Sequence, residues 1–328
     1  MPLISVIIPV YNGENTIRET LESVFSQTVQ DFEIIVINDG SHDATLEILS
    51  SLQNPRLKVF SYPNAGQAAS RNRGFDRSSG EFIAFLDADD LWTPNKLEAQ
   101  LKALQDNPHA AVAYSWSDFI DENGKFLRGG SRSTLSGDVY AKLLLTDFLD
   151  NGSNPLIRRQ ALLEVGGFDE SLPPAEDWDM WLRLAARYHF VVVPIPQILY
   201  RQSSKSESTN LLRMASACDR VIKRTFEQAP ESLKHLKRHS LANIYKYLIF
   251  RCFDGNVKRS RALIAARFLG YALWHEPELM QKRIAWKVLL QIGIVIFLQP
   301  QLAQALLPKM QRIANLDTLL LHMRLEPF

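Results

Sequence analysis

Among the 328 residues there are only two cysteines, Cys218 and Cys252. They have neither metal-site spacing nor a disulfide framework around them, so a reducing compartment and buried thiols are expected. No apolar run reaches the ~20 residues that a membrane-spanning helix requires. Residues 1–10 lack a basic leader region and hold only a strand-sized apolar run, so no secretory signal is expected. A Gly-x-Gly-x-x-Gly turn after the first strand is missing, as is a Gly-x-x-x-x-Gly-Lys-[Ser/Thr] loop. Those absences argue against a dinucleotide fold and a P-loop nucleotidase. Disorder is excluded by a hydrophobic content of 46%.

The net charge of +1 conceals a division. Residues 1–210 hold 18 Lys and Arg against 28 Asp and Glu, whereas residues 211–328 hold 19 against 8. Two modules follow, 1–210 and 211–328, with different partners. The acidic module is a poor nucleic-acid binder but can hold a metal, and the basic one can face anionic lipid or phosphate.

In the first module apolar strands alternate with amphipathic helices. Leu3 to Ile8 reads as a buried strand stopping at Pro9, followed by a helix carrying Ile17, Leu21 and Val24. Strands at Phe32 to Ile37, Leu57 to Ser61 and Phe82 to Leu86 follow, each leading to a helix. The order β-α-β-α-β-α-β implies a parallel, doubly wound sheet. Ala111 to Ile120 with the turn Asp121-Glu122-Asn123-Gly124 reads as an antiparallel insertion. Phe190 to Val193 and Ile198 to Arg201 complete the module as two segments, and Ser203 to Ser208 reads as a mobile loop.

Chemistry concentrates at strand ends. Asp87, Asp89 and Asp90 close a buried strand, and three acids within four residues need a cation, hydroxyls or water to offset their repulsion. Asp-x-Asp suits a divalent metal completed by diphosphate oxygens. The competing reading is an acidic turn in which Asp90 or Thr93 caps the next helix. An EF-hand is excluded because its sixth position is Trp92 where glycine is required. Asp39 sits in a turn rich in capping residues, and Arg71 and Arg73 follow a helix start at Gly66, a natural anion site. Glu176, Asp177 and Asp179 open a helix with Trp178 and Trp181 on its apolar face. They are either capping acids or the source of a general base.

Six motifs occur in one order: Pro9-Val10-Tyr11-Asn12, Asn38-Asp39-Gly40-Ser41-x-Asp43, Asn64-x-Gly66 with Arg71-Asn72-x-Gly74, Asp87-x-Asp89-Asp90, Gly166-Gly167-Phe168-Asp169 and Glu176-Asp177. Over residues 3–203 the chain resembles family 2 glycosyltransferases, inverting GT-A enzymes that use nucleotide sugars. The resemblance implies that Asp39 meets the nucleotide base, with Pro9, Tyr11 and Asn12 lining its pocket. It places Arg71 near the diphosphate, Asp87 on the ribose or the metal, Asp89 as metal ligand and Asp177 as general base. Asn64, Gly66, Asp90, Glu176 and Trp178 belong to the same substrate-binding set. A divalent cation, Mn or Mg, is the implied cofactor, and a UDP-sugar the implied donor. The family often carries a His after a Tyr-Arg pair; here Tyr200-Arg201 is followed by Gln202 and Ser203. The chain thus departs from the family pattern at the position of a third protein ligand for the metal.

The second module reads as helices. Its apolar run from Ile284 to Leu307 is interrupted by Gln291 and Pro300 and flanked by Lys282, Arg283, Lys287, Lys309 and Arg312. Either this segment lies at an anionic membrane surface, or it packs on the catalytic module or a second subunit. The expected location is the cytoplasmic face of the cell membrane, and the expected acceptor a saccharide or lipid-linked hydroxyl in polysaccharide or glycolipid synthesis. The rival readings are a nucleotidyltransferase, which would need a Gly-rich loop near residues 10–20, and a non-catalytic scaffold of the same fold.

Overall fold

A strand covered on both faces by helices carries no polar side, and Ile4–Val10 (β1) and Phe32–Asn38 (β2) are buried at every position. The computed structural model describes residues 1–202, 210–254, 258–299, 301–302, 306, 316–320 and 322–323. The expected loop at Ser203 to Ser208, Lys309 and Arg312 lie outside the described residues. β3 (Leu57–Ser61), β2, β1 and β4 (Phe82–Phe85) run parallel, in that spatial order, within a nine-stranded sheet. They are joined by α1 (Ile17–Phe25), α2 (Thr45–Ser51) and α3 (Gln67–Arg77). The chain moves outward from β1 to β3 and then crosses to the other side of β1. Strand order therefore reverses between β1 and β4, and the crevice above such a reversal is where open α/β sheets bind ligands.

Beyond β4 the sheet turns mixed. β8 (Leu156–Arg158) is antiparallel to β4 and to β6 (Ala110–Ile120). β6 pairs parallel with β9 (His189–Arg201) and antiparallel with its hairpin partner β7 (Phe126–Gly129). A two-residue strand, β5 (Leu91–Trp92), turns back against β9 immediately after the acidic cluster. Four further helices complete the unit or border it: α4 (Lys96–Asp106), α5 (Tyr140–Leu145), α6 (Arg159–Val165) and α7 (Glu176–Ala185). The expected α/β class, a mostly parallel sheet with an antiparallel insertion and a helical C-terminal region, is the one found.

Two expectations about proline fail for physical reasons. β1 does not stop at Pro9 but runs to Val10. Leu86 N–H donates to Ile7 O, so Pro9, two residues on, faces the same side but beyond the end of β4, where its missing N–H costs no ladder bond. β9 is one strand of 13 residues, although Pro194 and Pro196 lie within it. Register shifts between Ser115 and Ser117 of β6 absorb the two prolines.

The chain divides into two compact units, Met1–Leu143 with Asp147–Ser206, and Leu144–Thr146 with Glu207–Phe328. The second unit contains α8 (Leu211–Gln228), α9 (Lys237–Phe253), α10 (Arg259–His275), α11 (Arg283–Phe297) and α12 (Asp317–Leu320). α11 buries Ile284, Ala285, Val288, Ile292 and Val295. Its opposite stripe exposes Trp286, Leu289, Leu290 and Phe297, spaced three, four and eleven residues from the tryptophan. Among the described residues no helix is long and apolar enough to cross a membrane.

Candidate active site

The acidic turn after β4 is held from three sides. Thr20 of α1 donates its hydroxyl to Ala88 O and Asp90 O, each at 3.0 Å. Ser153 Oγ accepts Asp87 N–H at 3.0 Å and donates to Asp90 Oδ2 at 2.5 Å. Arg201, at the end of β9, donates Nε to Asp89 O at 2.8 Å and its backbone N–H to Asp90 Oδ1 at 2.9 Å. Asp90 is thus consumed by the protein and 0% exposed. Burial first, then the charges of Asp89 and Asp87, push its carboxyl well above the usual range. Asp90, expected in the substrate-binding set, fastens β9 to the acidic turn in this structure and caps no helix.

Asp87 and Asp89 remain available. Asp87 Oδ1 accepts Gln67 Nε2 and Arg71 Nη2, both at 2.7 Å, while Oδ2 has no protein partner among the described residues. Asp89 makes no side-chain bond to another described residue; burial and the charge of Asp87 raise its carboxyl to about 6. Two neighbouring carboxylates, one of them raised by burial first and by the other's charge second, are what a divalent cation relieves. The donor set therefore fits Mn or Mg held by Asp87 and Asp89. Among the described residues no three His, Cys, Asp or Glu side chains converge on a metal position. Completion by substrate oxygens agrees with Gln202 standing where the family often has His.

Asp39, after β2, is 3% exposed. Its Oδ1 accepts Ala65 N–H at 3.0 Å and Arg73 Nη1 at 3.2 Å, and its Oδ2 accepts Gly66 N–H at 2.8 Å. Asn64 donates to Asp39 O at 2.9 Å. Asn64 and Gly66 therefore shape the loop around Asp39, helped by the left-handed φ of 90° at Gly66 that a side chain would resist. Of the residues expected to line the base pocket, Pro9 is buried inside β1, whereas Tyr11 is 51% exposed and Asn12 is exposed. Asn12 Oδ1 accepts His42 N–H at 2.9 Å, and the Tyr11 and His42 rings meet edge to face.

Arg71 and Arg73, expected at an anion site, both carry ion pairs within the protein. Arg73 is paired with Asp39, and Arg71 is 2% exposed and paired with Asp87 and Glu176. Neither leaves a bare guanidinium facing the crevice.

On α7 the three acids separate by partner. Asp179 is 1% exposed and pairs with Arg183 at 2.9 Å, which also donates to Val165 O and Gly167 O. Glu176 pairs with Arg71 at 3.1 Å. Asp177, half-buried, accepts its neighbour's N–H at Oδ1 and has no partner for Oδ2 among the described residues. Burial, then the charge of Asp147, raises Asp177 to about 7 against the lowering pull of Arg71. That is the range in which a carboxylate serves as a base near neutral pH. Trp178, expected in the substrate-binding set, is 5% exposed and donates Nε1 to Leu143 O at 3.0 Å, so its ring is engaged within the protein.

Gln67, Ser153, Arg201 and Asp147 escaped sequence reasoning because their role comes from distant partners. Gln67 alone had a signal: it is the first residue of α3, directly after the motif glycine.

The model for the glycosyltransferase-like family 2 matches residues 5–252. An uncharacterized glycosyltransferase of Rickettsia bellii (strain RML369-C) is 38% identical over 185 residues, 56% of this chain and 26% of that protein. The chain spans about a quarter to a third of the length of the first curated relatives it matches. Among solved structures, S. aureus TarS 1–349 in complex with UDP-GlcNAc gives a TM-score of 0.55 at 19% identity, covering 96% of this chain and 89% of that one. The mannosyltransferase PcManGT from Pyrobaculum calidifontis, in complex with GDP-Man and Mn2+, gives 0.58 at 17% identity, covering 98% and 87%. At these identities the structural likeness is one of fold.

Proposed function

The chain belongs to the glycosyltransferase-like family 2 and has the GT-A fold, and from that premise we propose that it transfers a sugar from a nucleoside diphosphate donor to an acceptor hydroxyl with inversion. The observation that carries this reading is the pair Asp87 and Asp89 with oxygens unengaged among the described residues, together with Asp177, which among those residues forms no ion pair although Glu176 and Asp179 of the same turn do. Asp177 takes the acceptor's proton as its oxygen bonds the anomeric carbon, and the bond to the departing diphosphate breaks on the opposite face. Asp87 and Asp89 would hold the divalent cation, which supplies charge compensation for the leaving diphosphate. Tyr11, Asn12 and the Asp39 loop would receive the nucleotide base.

Residues 1–210 are the catalytic module in this reading, and residues 211–328 hold it at the anionic cytoplasmic face of the membrane. Support comes from the basic excess and from an apolar stripe turned outward on α11, with Trp286 59% and Phe297 85% exposed. Such a surface suits a lipid-linked or growing saccharide acceptor of cell-surface polysaccharide or glycolipid synthesis. UDP-sugars lead the donor candidates, since TarS is solved with UDP-GlcNAc. The test is a panel of UDP-, GDP- and other nucleotide sugars with Mn or Mg. Metal-dependent nucleotide release from one donor is expected; neither binding nor release from any would overturn the reading.

A further inference from the structure

Arg71 is a charged group sealed inside the catalytic unit, 2% exposed. Its Nη2 reaches Asp87 Oδ1 at 2.7 Å and its Nη1 reaches Glu176 Oε1 at 3.1 Å. The guanidinium lies over the Phe168 ring at 5.2 Å. A Cβ at Gly152 would come within 2.5 Å of Nη2, so only glycine lets that backbone approach. Phe168 is itself clamped by the next residue, Asn72, which accepts Phe168 N–H at 2.7 Å and donates to Phe168 O at 3.0 Å. Two motifs far apart in sequence thus build one cradle around one guanidinium. Stability alone does not account for it, since well-packed apolar residues often replace a buried ion pair at no loss. Apolar residues cannot hold two carboxylates in fixed places.

We propose that Arg71 is a positioning residue that couples the orientation of Asp87, which would hold the donor's cation, to the placement of Asp177. By holding Oδ1, it leaves Asp87 Oδ2 for the donor side. By holding Glu176, the first residue of α7, it fixes the turn from which Asp177 projects. A lysine cannot replace it, because a single ammonium lacks the rigid fork that reaches two acceptors at once. This inference rests on the roles given above to Asp87 and Asp177.

The test uses the full chain and four variants, Arg71→Lys, Glu176→Gln, their double, and Asp177→Asn. Binding of UDP with MnCl2 is read by calorimetry, turnover by nucleotide release from the donor found in the panel, and folding by melting temperature. Folded Arg71→Lys should lose about 10- to 100-fold in both UDP affinity and turnover, the range for groups that orient a ligand-holding residue. Glu176→Gln should lose turnover with UDP affinity kept, and the double variant should turn over no worse than Arg71→Lys, because the two share one link. Wild-type values in folded Arg71→Lys, or losses that multiply in the double, overturn the proposal. Should Arg71→Lys not fold, Glu176→Gln decides: lower turnover at unchanged UDP affinity supports the coupling, and unchanged turnover overturns it. Asp177→Asn at wild-type turnover would sink the underlying assignment of the base instead, whatever Arg71 does.

Discussion

At the carboxyl ends of β1, β2 and β4 the catalytic unit gathers Asp39, Asp87, Asp89, Asp90, Glu176 and Asp177, whereas residues 211–328 hold 19 of the chain's 37 basic residues and 8 of its 36 acids. The contrast in burial is as sharp as that in sign. In the catalytic unit Asp39, Asp90 and Glu176 are each under 5% exposed and answered by a named partner. In the helical unit the charges along α11, at Lys282 and Arg283, face solvent, and the buried Lys246 is paired with Glu276 at 2.6 Å. Buried charge must be matched by geometry, and so it reports chemistry; exposed charge acts by its sum and reports a surface.

The comparison breaks most visibly at Asp89. Replacing it with alanine, or adding EDTA, should lower nucleotide release by at least about two orders of magnitude, as loss of a charge-compensating group does. Full turnover in EDTA with an unimpaired variant would remove the metal from the account. In the other unit, Trp286→Ser with Phe297→Ser should abolish most binding to phosphatidylserine vesicles while lowering the melting temperature only slightly, because both side chains are exposed and the one bond lost is that of Trp286 Nε1 to Met280 O. Salt alone should release only part of the wild-type protein, since screening weakens contributions of about 1 kcal/mol per basic residue but not apolar insertion. Vesicle binding that survives the double substitution would give α11 another partner.

Smaller effects separate structural from functional acids. Ser153→Ala removes the hydroxyl that Asp90 and Asp87 N–H share, and should cost about 1–3 kcal/mol of stability. Because Ser153 also fixes Asp87 N–H, UDP affinity should fall as well, but by less than in Asp89→Ala; an equal loss would make Ser153 itself part of the binding site. Asp147, Asp150, Glu176 and Asp177 are each raised to about 7, in every case chiefly by burial. Raised carboxyls bind protons more tightly in the fold than in the unfolded chain, so stability falls as pH rises from the unfolded values near 4 to about 7 and levels off above. The melting temperature should therefore be higher at pH 6 than at pH 8. Glu33, lowered to about 2 by Lys58 and hydroxyl partners despite its burial, acts in the opposite sense only below its unfolded value of 4.5. Equal melting temperatures would show that the carboxylates are ionised and compensated at pH 6.

Much of the fold was legible because alternation of buried strands with amphipathic helices is a local pattern. β3 was located to the residue, and β2, β6 and the helix of Trp178 to within one residue or at the same start. Pro9 misled because a proline's cost depends on which neighbour its missing N–H would face. At the candidate site the acids were visible, but which of them the protein consumes was not. Asp90 is answered by Ser153 and Arg201, 63 and 111 residues away, and Glu176 by Arg71, 105 away. Spacing along the chain carries no signal for such pairs, so the protein partners of Asp90, Trp178 and Arg71 were not legible in the sequence.

The proposed role of Asp177 as the base of a sugar transfer is tested most directly by UDP binding and nucleotide release in Asp177→Asn, which keeps the side chain's shape. UDP with Mn should bind as in the wild type while release falls about 10²- to 10⁴-fold; release at the wild-type rate would contradict the account.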